Sequence, residues 1–355
     1  RAAPDLLLRT VVSRPLVDMD SSSNGSCGNS SSIQSVVFAA LFPPLYAIIF
    51  IGGLVLNSLA AWIFFQIKNR SSFILYLKNI AVADLVMTLT FPFTIASESG
   101  LGPWQLKAFV CRYSAVVFYA SMYVSLSFLG LISLDRYLKI VKPFGESKLY
   151  NFTFTKFVSM GVWLGMIFLS LPNTILTNKT PTSENAHCCT YLKSDLGLKW
   201  HAAVSYINIC IFIAVLVILI ASYISIYKHV HRSNQQFVCT AKRETKPSQN
   251  IYIILVVFSI CFVPYHLWRI PFTLSQIDKH FGEVGDAVLM YGKRITLFMS
   301  ACNVCLDPVI YFLMCKSFTR KLGRKLHLGH HSSLNDSRQS TRRTQVRRFR
   351  EYPSA

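Results

Sequence analysis

Seven apolar segments, each long enough to cross a lipid bilayer, constrain this chain more than any other feature of its sequence. A helix needs about 20 apolar residues to span the hydrocarbon core. Because backbone N–H and C=O groups find no water inside lipid, each crossing segment must satisfy them internally as a helix. The segments, numbered here as spans 1 to 7, are 38–66, 73–97, 110–138, 153–176, 201–227, 250–275 and 287–314. They predict an all-α membrane protein, with a seven-helix bundle over residues 36–315.

Composition argues against a soluble helical protein. Hydrophobic residues make up 52% of the 355 residues and charged residues only 15%, whereas soluble domains carry roughly 25% charged residues. Seven such segments would leave almost no polar face to cover a soluble core. The many Phe, Tyr and aliphatic residues also exclude disorder over most of the chain.

The distribution of Lys and Arg predicts the orientation in the membrane. Basic residues follow spans 1, 3 and 5, and eleven more lie after residue 315 against two acids. Since basic residues accumulate in cytoplasmic segments, these regions are assigned to the cytoplasm and the N-terminus to the outside. We therefore expect a multi-pass plasma-membrane protein.

The terminal segments are predicted to be disordered. Residues 1–35 contain a Ser/Asn/Gly-rich stretch and two glycosylation triplets, at Asn24 and Asn29; a third begins at Asn178, in the second outer loop. Met19 is an alternative first residue, which would make residues 1–18 an upstream artefact.

The cytoplasmic end is expected to begin with an amphipathic eighth helix over 316–328. It has Phe318, Leu322 and Leu326 at a spacing of four, among basic residues that suit acidic lipid. The basic tail, 329–355, is expected to be disordered. Its Ser and Thr residues are candidate sites for a receptor kinase and for arrestin binding.

Ionisable residues inside the spans mark candidate functional positions, because a charge at membrane depth costs several kcal/mol unless it is paired or hydrated. Asp84 lies in span 2, and the sequence Asp135-Arg136-Tyr137 ends span 3. Spans 6 and 7 contain Arg269 and Asp307. Each of these alone is consistent with a packed polar group, but their joint occurrence is not.

Basic residues converge at the outer ends of spans 6 and 7. Arg269 lies about 7 Å beyond Pro264 along the helix, with His266 just below it. Lys293 lies about 22 Å outward from Pro308, and Lys193 belongs to the second outer loop. Such a cluster favours an anion, because Arg offers a planar fork to phosphate oxygens and Lys a mobile point charge.

Aromatic side chains accompany this basic cluster and suit a base or an acyl chain. They are Tyr119 and Tyr123 of span 3 and Phe272 of span 6.

Other functional classes fit the sequence less well. No Gly-rich phosphate loop follows a strand, and no His/Cys spacing suits a structural metal, so we expect neither an enzyme nor a metal centre. A transporter is the alternative class, but it would show internal repeats and broken helices. No nucleic-acid partner is expected.

The polar motifs together resemble those of the rhodopsin-like G-protein-coupled receptors, and the resemblance covers residues 36–330. They are Asn57, the Ala-Val-Ala-Asp run 81–84, the Asp-Arg-Tyr at 135–137, Trp163, the Cys-Phe-Val-Pro at 261–264 and the Asp-Pro-x-x-Tyr at 307–311.

Longer runs resemble the purinergic branch, in particular the ADP and UDP-sugar receptors and a neighbouring orphan member for which lysophosphatidic acid has been suggested. These runs include 118–123, 264–274, 291–293 and 300–308. Val215 and Phe262, which replace a common Pro and Trp, recur in this branch. Ser205 stands where the ADP receptors have Asn, which argues against ADP itself as the ligand. Arg294 stands where the branch commonly has Glu, so the outer mouth is expected to be more basic than usual.

The resemblance implies a receptor for a phosphate-bearing ligand, with a nucleotide or nucleotide sugar preferred over lysophosphatidic acid. It adds Asn173 to the ligand-binding set formed by Arg269, Lys293, His266, Lys193, Tyr119, Tyr123 and Phe272. A heterotrimeric G protein, of the inhibitory class by analogy, is the implied intracellular partner.

The resemblance also implies three structural features. One is a sodium ion held by Asp84, Ser125, Asn303 and Asp307, with no other cofactor. Another is a G-protein switch formed by Asp135, Arg136, Tyr137, Tyr223 and Tyr311, in which Arg136 pairs with Asp135 at rest. The third is an outer disulfide between Cys111 and Cys189, which leaves Cys188 spare or bridged to Cys27.

Overall fold

The computed structural model describes residues 33–68, 71–142, 151–186, 188–236, 246–277 and 282–325. Over this part of the chain it contains seven helical segments that are long and apolar enough to cross a membrane. They cover Val37–Phe65, Ser72–Glu98, Trp104–Val141, Phe152–Ile175, Asp195–Arg232, Tyr252–Ser275 and Ala287–Met314. The predicted seven-helix architecture is therefore confirmed, and spans 1 to 7 refer to these segments from here on.

Several spans are built from more than one helix. Spans 1 and 4 are single helices, Ile33–Phe65 and Phe152–Ile175, and span 5 lies within the helix Asp195–Gln236. Span 2 divides into Ser72–Thr88 and Phe91–Glu98, and span 3 into Trp104–Phe109, a π-helical turn Val110–Ser114 and Ala115–Val141. Span 6 divides into Lys246–Cys261 and Val263–Ile277, and span 7 into Gly282–Ala301 and Asn303–Met314.

Prolines account for two of these interruptions. Pro92 lies just after the break in span 2, and Pro264 just after the break in span 6. Proline has no N–H to donate, and its ring clashes with the carbonyl four residues earlier, so the helix cannot continue regularly. The outer half of span 6 can thus take its own direction and aim Arg269 into the bundle.

Span 3 is the central helix of the bundle. In its most apolar window 61% of the residues are buried, compared with 17% in span 4, which lies at the periphery. Gly130 allows span 5 to approach closely, because a Cβ atom at this glycine would lie 3.0 Å from Cγ1 of Val215. Val215, in place of the common proline, therefore packs directly on span 3.

The eighth helix, Lys316–Lys325, packs on the bundle more than the sequence indicates. Phe318 is 1% exposed and contacts the rings of Phe64 and Tyr311, and Leu322 is also buried. Lys321 donates a hydrogen bond to the carbonyl of Gln66 in the first cytoplasmic turn. Two of the three apolar residues expected on the lipid face thus lie against spans 1 and 7, whereas Leu326 lies outside the described residues.

The predictions for the tails also fall outside the described residues. These comprise the glycosylation triplets at Asn24 and Asn29, the candidate bridge to Cys27 and the kinase and arrestin sites in 329–355. Asn178, the third glycosylation candidate, is exposed in the second outer loop.

Candidate ligand-binding site

A disulfide fixes the second outer loop to the start of span 3. It joins Cys111 and Cys189, whose Cα atoms are 5.2 Å apart, as expected from the sequence. Cys188 is also disulfide-bonded, so it is not the spare thiol that was one of the two alternatives. The outer bridge brings the loop over the bundle and makes Cys189 part of a cavity wall.

Hydrogen bonds fold the same loop back onto the end of span 4. The Ser194 N–H donates to the carbonyl of Leu176 at 3.0 Å, and the Lys179 N–H donates to the carbonyl of Leu192 at 3.1 Å. Lys193 is thereby held pointing inward and is only 5% exposed.

Below this loop is a cavity of about 160 Å³ enclosed by spans 3 to 7. Six of the eight predicted ligand-binding residues line it, namely Tyr119, Tyr123, Asn173, Lys193, Arg269 and Lys293. Spans 3, 4, 6 and 7 and the second outer loop thus bring these side chains together, although Tyr119 and Lys293 are 174 residues apart in the sequence. Concave sites with a few convergent polar groups are typical ligand-binding sites.

Arg269 is held by side chains of span 5. It is 7% exposed, and its Nη2 donates to Oγ of Ser205 at 3.0 Å. The same nitrogen lies 3.2 Å from Nε2 of His201, which accepts the hydrogen bond if His201 is neutral. Span 5 therefore orients the guanidinium without neutralising it.

The two lysines are held more loosely. Nζ of Lys193 lies 3.5 Å from Oδ1 of Asn173 and 3.4 Å from Oγ1 of Thr177, both long hydrogen bonds. Burial, with a smaller contribution from the charge of Arg269, lowers the pKa of Lys193 to about 8. Nζ of Lys293 lies 4.4 Å from the ring centre of Phe272, in a cation–π contact.

Arg269, Lys193 and Lys293 share one property within the described part of the chain. None of them forms a salt bridge with a carboxylate there. Three cations around one cavity repel one another, so a bound anion would relieve the repulsion and complete their hydrogen bonding. The arrangement is therefore suited to binding a phosphate or another multiply charged anion.

Two residues of the predicted set, His266 and Phe272, do not line the cavity. His266 is 1% exposed, its Nε2 lies 2.9 Å from the hydroxyl of Tyr123, and its Nδ1 lies 2.8 Å from the carbonyl of Phe262. Its ring also stacks on Phe212, with centroids 3.9 Å apart. Both nitrogens are thus engaged beneath the cavity floor, so His266 supports Tyr123 instead of facing a ligand.

Phe272 lies behind the cations instead of in the cavity. Its ring is buried, and its centre lies 4.4 Å from Nζ of Lys293 and 5.8 Å from Cζ of Arg269. The π face of an aromatic ring stabilises a nearby cation. Tyr119, in contrast, lies in the cavity wall and stacks against Tyr265.

The structure adds lining residues that sequence reasoning missed. His201, Ser205 and Asn208 line the cavity from span 5, and Oδ1 of Asn208 has no hydrogen-bond partner among the described residues. Residues three or four apart share one face of a helix. The spacing of these three polar residues therefore indicates a polar face of span 5, of which the sequence analysis names only Ser205.

The expectation of an unusually basic mouth was wrong for Arg294. Its Nη1 lies 3.3 Å from Oε2 of Glu98 at the end of span 2. The branch commonly has a Glu next to the lysine of span 7, whereas this chain has Arg294 there. Glu98 of span 2 supplies an acid in its place and offsets the charge of Arg294.

A polar cluster lies deeper in the bundle, where the sodium site was expected. Oγ of Ser125 is 3.2 Å from Oδ1 of Asp84 and 3.1 Å from Oδ2 of Asp307, and all three residues are fully buried. Within the described residues, neither polar side-chain atom of Asn303 has a hydrogen-bond partner, nor does Oδ1 of Asp307. Buried polar atoms normally have hydrogen-bond partners, so these atoms are unusual, and oxygen atoms are the ligands that a hard cation prefers.

At the cytoplasmic end of span 3 Arg136 pairs with Asp135 as expected, but Lys139 lies closer to the same carboxylate. Asp135 is held at 2.7 Å by Lys139, one turn later, whereas Nη2 of Arg136 is 3.7 Å away. The guanidinium of Arg136 instead stacks 3.7 Å from the ring centre of Phe73 in span 2. The proximity of Lys139 explains the weak pairing, because a nearer cation satisfies the carboxylate.

The three tyrosines of the predicted switch lie at different depths. Tyr311 is fully buried, with its hydroxyl 3.5 Å from Oδ2 of Asp84. Tyr223 is half-buried and contacts the ring of Tyr252, and Tyr137 is also half-buried.

A family model for the seven-transmembrane receptors of the rhodopsin family matches residues 56–311. The chain belongs to this family. It is therefore a G-protein-coupled receptor that crosses the plasma membrane several times. Its partners are a G protein and a small-molecule ligand. The members of this family are receptors, not enzymes.

Relatives place the receptor more finely. It is 54% identical to G-protein coupled receptor 87 of Mus musculus, covering 92% of this chain and 91% of the relative. It is 46% identical to purinoceptor 14 of Bos taurus, covering 86% of this chain and 89% of the relative. It is 44% identical to purinoceptor 13 of Homo sapiens, covering 84% of this chain and 86% of the relative. The resemblance to the purinergic branch is thus confirmed.

Proposed function

We propose that the receptor binds an extracellular ligand bearing phosphate groups and that this ligand is a nucleotide or a nucleotide sugar. The observation that carries the proposal is the convergence of Arg269, Lys193 and Lys293 on one cavity, without a carboxylate partner in the described residues. Hydrogen bonds to charged groups contribute roughly 1.5–3 kcal/mol each. A phosphate that engages all three cations would therefore supply a large part of the binding free energy.

The nucleotide is preferred because aromatic side chains form part of the cavity wall. Tyr119 and Tyr123 line it, and Tyr119 stacks on Tyr265 with ring centres 6.3 Å apart. Such rings suit the flat face of a base. Two relatives bear the name purinoceptor, which supports the same choice.

Lysophosphatidic acid remains the second candidate because part of the wall is apolar. Met166, Leu169 and Val204 line the cavity on the side of spans 4 and 5. An acyl chain needs such a surface, and its headgroup would use the same cations.

Signalling follows the family pattern in this proposal. The N-terminus and the cavity face the outside, and Arg136 meets the G-protein α-subunit when the cytoplasmic ends of the spans separate. The inhibitory class is the expected G protein, by analogy with the family. A receptor kinase and arrestin act on the Ser and Thr residues of the tail, and glycans are attached at Asn24, Asn29 and Asn178.

A sodium ion in the deep polar cluster is part of the proposed mechanism. Asp84, Ser125, Asn303 and Asp307 would hold it. One oxygen each of Asn303 and Asp307 has no hydrogen-bond partner among the described residues, which fits that purpose. The ion supplies positive charge that keeps two buried carboxylates together. A ligand shifts the receptor between states only by its differential affinity for them, so an ion that prefers the resting state opposes agonists.

Replacing Asp84 by Asn should make agonist potency insensitive to sodium. The change keeps the size of the side chain but removes one of the two carboxylates that attract the cation. The measurement is agonist-stimulated nucleotide exchange on the G protein in membranes, with sodium exchanged for a bulky organic cation at constant ionic strength. A variant that keeps the sodium dependence of the wild type would place the ion elsewhere.

The proposed ligand class is tested by a screen on cells that express the receptor. Nucleotides, nucleotide sugars and lysophospholipids are applied, and G-protein dissociation is recorded for the wild type and for Arg269→Ala. A response to a phosphate-bearing compound that is lost in the variant is the expected result. If the potent agonists are uncharged, or are cations, the proposal is wrong.

A further inference from the structure

The outer mouth contains an ion pair whose two residues belong to different spans. Oε2 of Glu98, the last residue of span 2, lies 3.3 Å from Nη1 of Arg294 in span 7, and both side chains are about one-third exposed. Arg294 directly follows Lys293, and successive residues of a helix point about 100° apart. One therefore faces the cavity, whereas the other faces span 2 and does not line it.

We infer that Glu98 sets the ligand charge that the receptor prefers, by cancelling the charge of Arg294 at the mouth of the cavity. The inference rests on the proposed function, since it concerns the same anion site. It assigns a specificity-determining role to a residue that touches neither the cavity nor the three cations that line it.

The physical basis is that both members of the pair act on the cavity over a distance. Arg294 directly follows Lys293 in the chain, so its positive charge acts on the cavity, and the carboxylate of Glu98, 3.3 Å from Arg294, acts in the opposite sense. While the pair is intact these two effects oppose each other, and the field in the cavity comes from Arg269, Lys193 and Lys293. Loss of the Glu98 carboxylate would leave Arg294 uncompensated and add one positive charge to the mouth.

The effect of an added charge depends on the ligand. A unit charge about 10 Å away in water changes the binding constant of another unit charge about twofold. The change in binding free energy is proportional to the ligand charge, so each further negative charge multiplies the binding constant again. Glu98 therefore discriminates most strongly against highly charged ligands.

Four variants separate this field effect from a structural role. Glu98→Gln adds one positive charge to the mouth, and Arg294→Gln removes one. The double variant Glu98→Gln/Arg294→Gln has the net charge of the wild type but no ion pair, and the exchange Glu98→Arg/Arg294→Glu has the same net charge with a reversed pair.

The probes are inorganic orthophosphate, pyrophosphate and tripolyphosphate, which form a charge series without a base or an acyl chain. Each is titrated against the purified full-length receptor in detergent at low ionic strength, where screening is weak. The apparent dissociation constant is obtained from the thermal stabilisation of the receptor. Arg269→Ala is measured in parallel to establish that the anions occupy the cavity.

We expect Glu98→Gln to bind orthophosphate, with about two charges, about fourfold more tightly, and tripolyphosphate, with about four, about sixteenfold more tightly. Arg294→Gln should weaken the binding of orthophosphate about fourfold and that of tripolyphosphate about sixteenfold. The double variant and the exchange should bind all three probes as the wild type does.

Two results would overturn the inference. If the pair only braces span 7 against span 2, both single variants and the double variant weaken all probes equally, and only the exchange recovers binding. If binding requires Arg269 but no variant alters the dependence on probe charge, Glu98 has no role in specificity. Failure of the proposed function looks different, because then anions stabilise Arg269→Ala no less than the wild type, or no anion stabilises the wild type.

Discussion

Replacing Arg269 by alanine should lower the potency of a phosphate-bearing agonist more than tenfold. Arg269 is buried, and it is oriented by Ser205 and His201 towards a cavity that it shares with Lys193 and Lys293. Its loss removes at least one charge-assisted hydrogen bond to the ligand. Concentration–response curves for G-protein activation measure the effect, at matched levels of receptor on the cell surface.

Arg269→Lys should recover only part of this loss. A single ammonium cannot reproduce the planar fork that holds two phosphate oxygens at once. Arg294→Ala is the comparison variant, because this arginine pairs with Glu98 and does not line the cavity. At physiological ionic strength its field is largely screened over about 10 Å, so this variant should reduce potency less than Arg269→Ala. An uncharged agonist that is equally potent on the wild type and on the alanine variants of Arg269 and Lys293 would contradict the anion site.

The bundle could be predicted from the sequence because the physical rule behind it is local. Each apolar segment must be long enough for the bilayer and must bond its own backbone, so hydropathy alone determines where the spans lie. The observed ends differ from the predicted ones by a few residues, apart from the longer outer end of span 3 at Trp104 and both ends of span 5, from Asp195 to Arg232. These extensions carry polar residues, which a search for apolar segments does not include.

The approximate depth of a functional side chain could also be predicted, but its direction could not. Helical rise places Arg269 and Lys293 near the outer mouth, Lys193 belongs to the outer loop above them, and all three line the cavity. His266 lies on the same span as Arg269, yet it turns beneath the cavity to meet Tyr123 and Phe212. The direction of the His266 side chain depends on the break in span 6 and on the packing of span 5. Neither can be obtained from the spacing of residues in the sequence.

Contacts between distant spans were the least predictable feature. The pair of Glu98 and Arg294 could not be predicted, although both residues lie at outer span ends, since nothing in the sequence indicates which ends adjoin. The same limit applies to Arg136, whose guanidinium stacks on Phe73 of span 2, while Lys139 forms the shorter salt bridge with Asp135. An i, i+4 pair of opposite charge is nevertheless visible in a sequence, so the pair of Asp135 and Lys139 could have been anticipated.

Agonist potency should depend on an intact base or sugar and not on a hydrocarbon chain. Tyr119 lines the cavity and stacks on Tyr265, and an aromatic pair contributes about 1 kcal/mol beyond the burial of its surface. Tyr119→Asn should therefore lower the potency of a nucleotide roughly fivefold, by removing that contribution. The same variant should bind tripolyphosphate almost as the wild type does, because the cations that grip the phosphates are unchanged.

A series of lysophosphatidic acids with progressively shorter acyl chains provides the opposing test. Each buried methylene contributes about 0.8 kcal/mol, so removing six of them would cost about 5 kcal/mol, or several thousandfold in potency, if the chain occupied a dry slot. Met166, Leu169 and Val204 are the apolar lining residues that such a slot would use. For a nucleotide receptor we expect uniformly weak responses across this series, whatever the chain length. A potency that falls steeply with each methylene removed would instead make the receptor one for a lysophospholipid, because only a buried chain produces a loss that grows with every carbon.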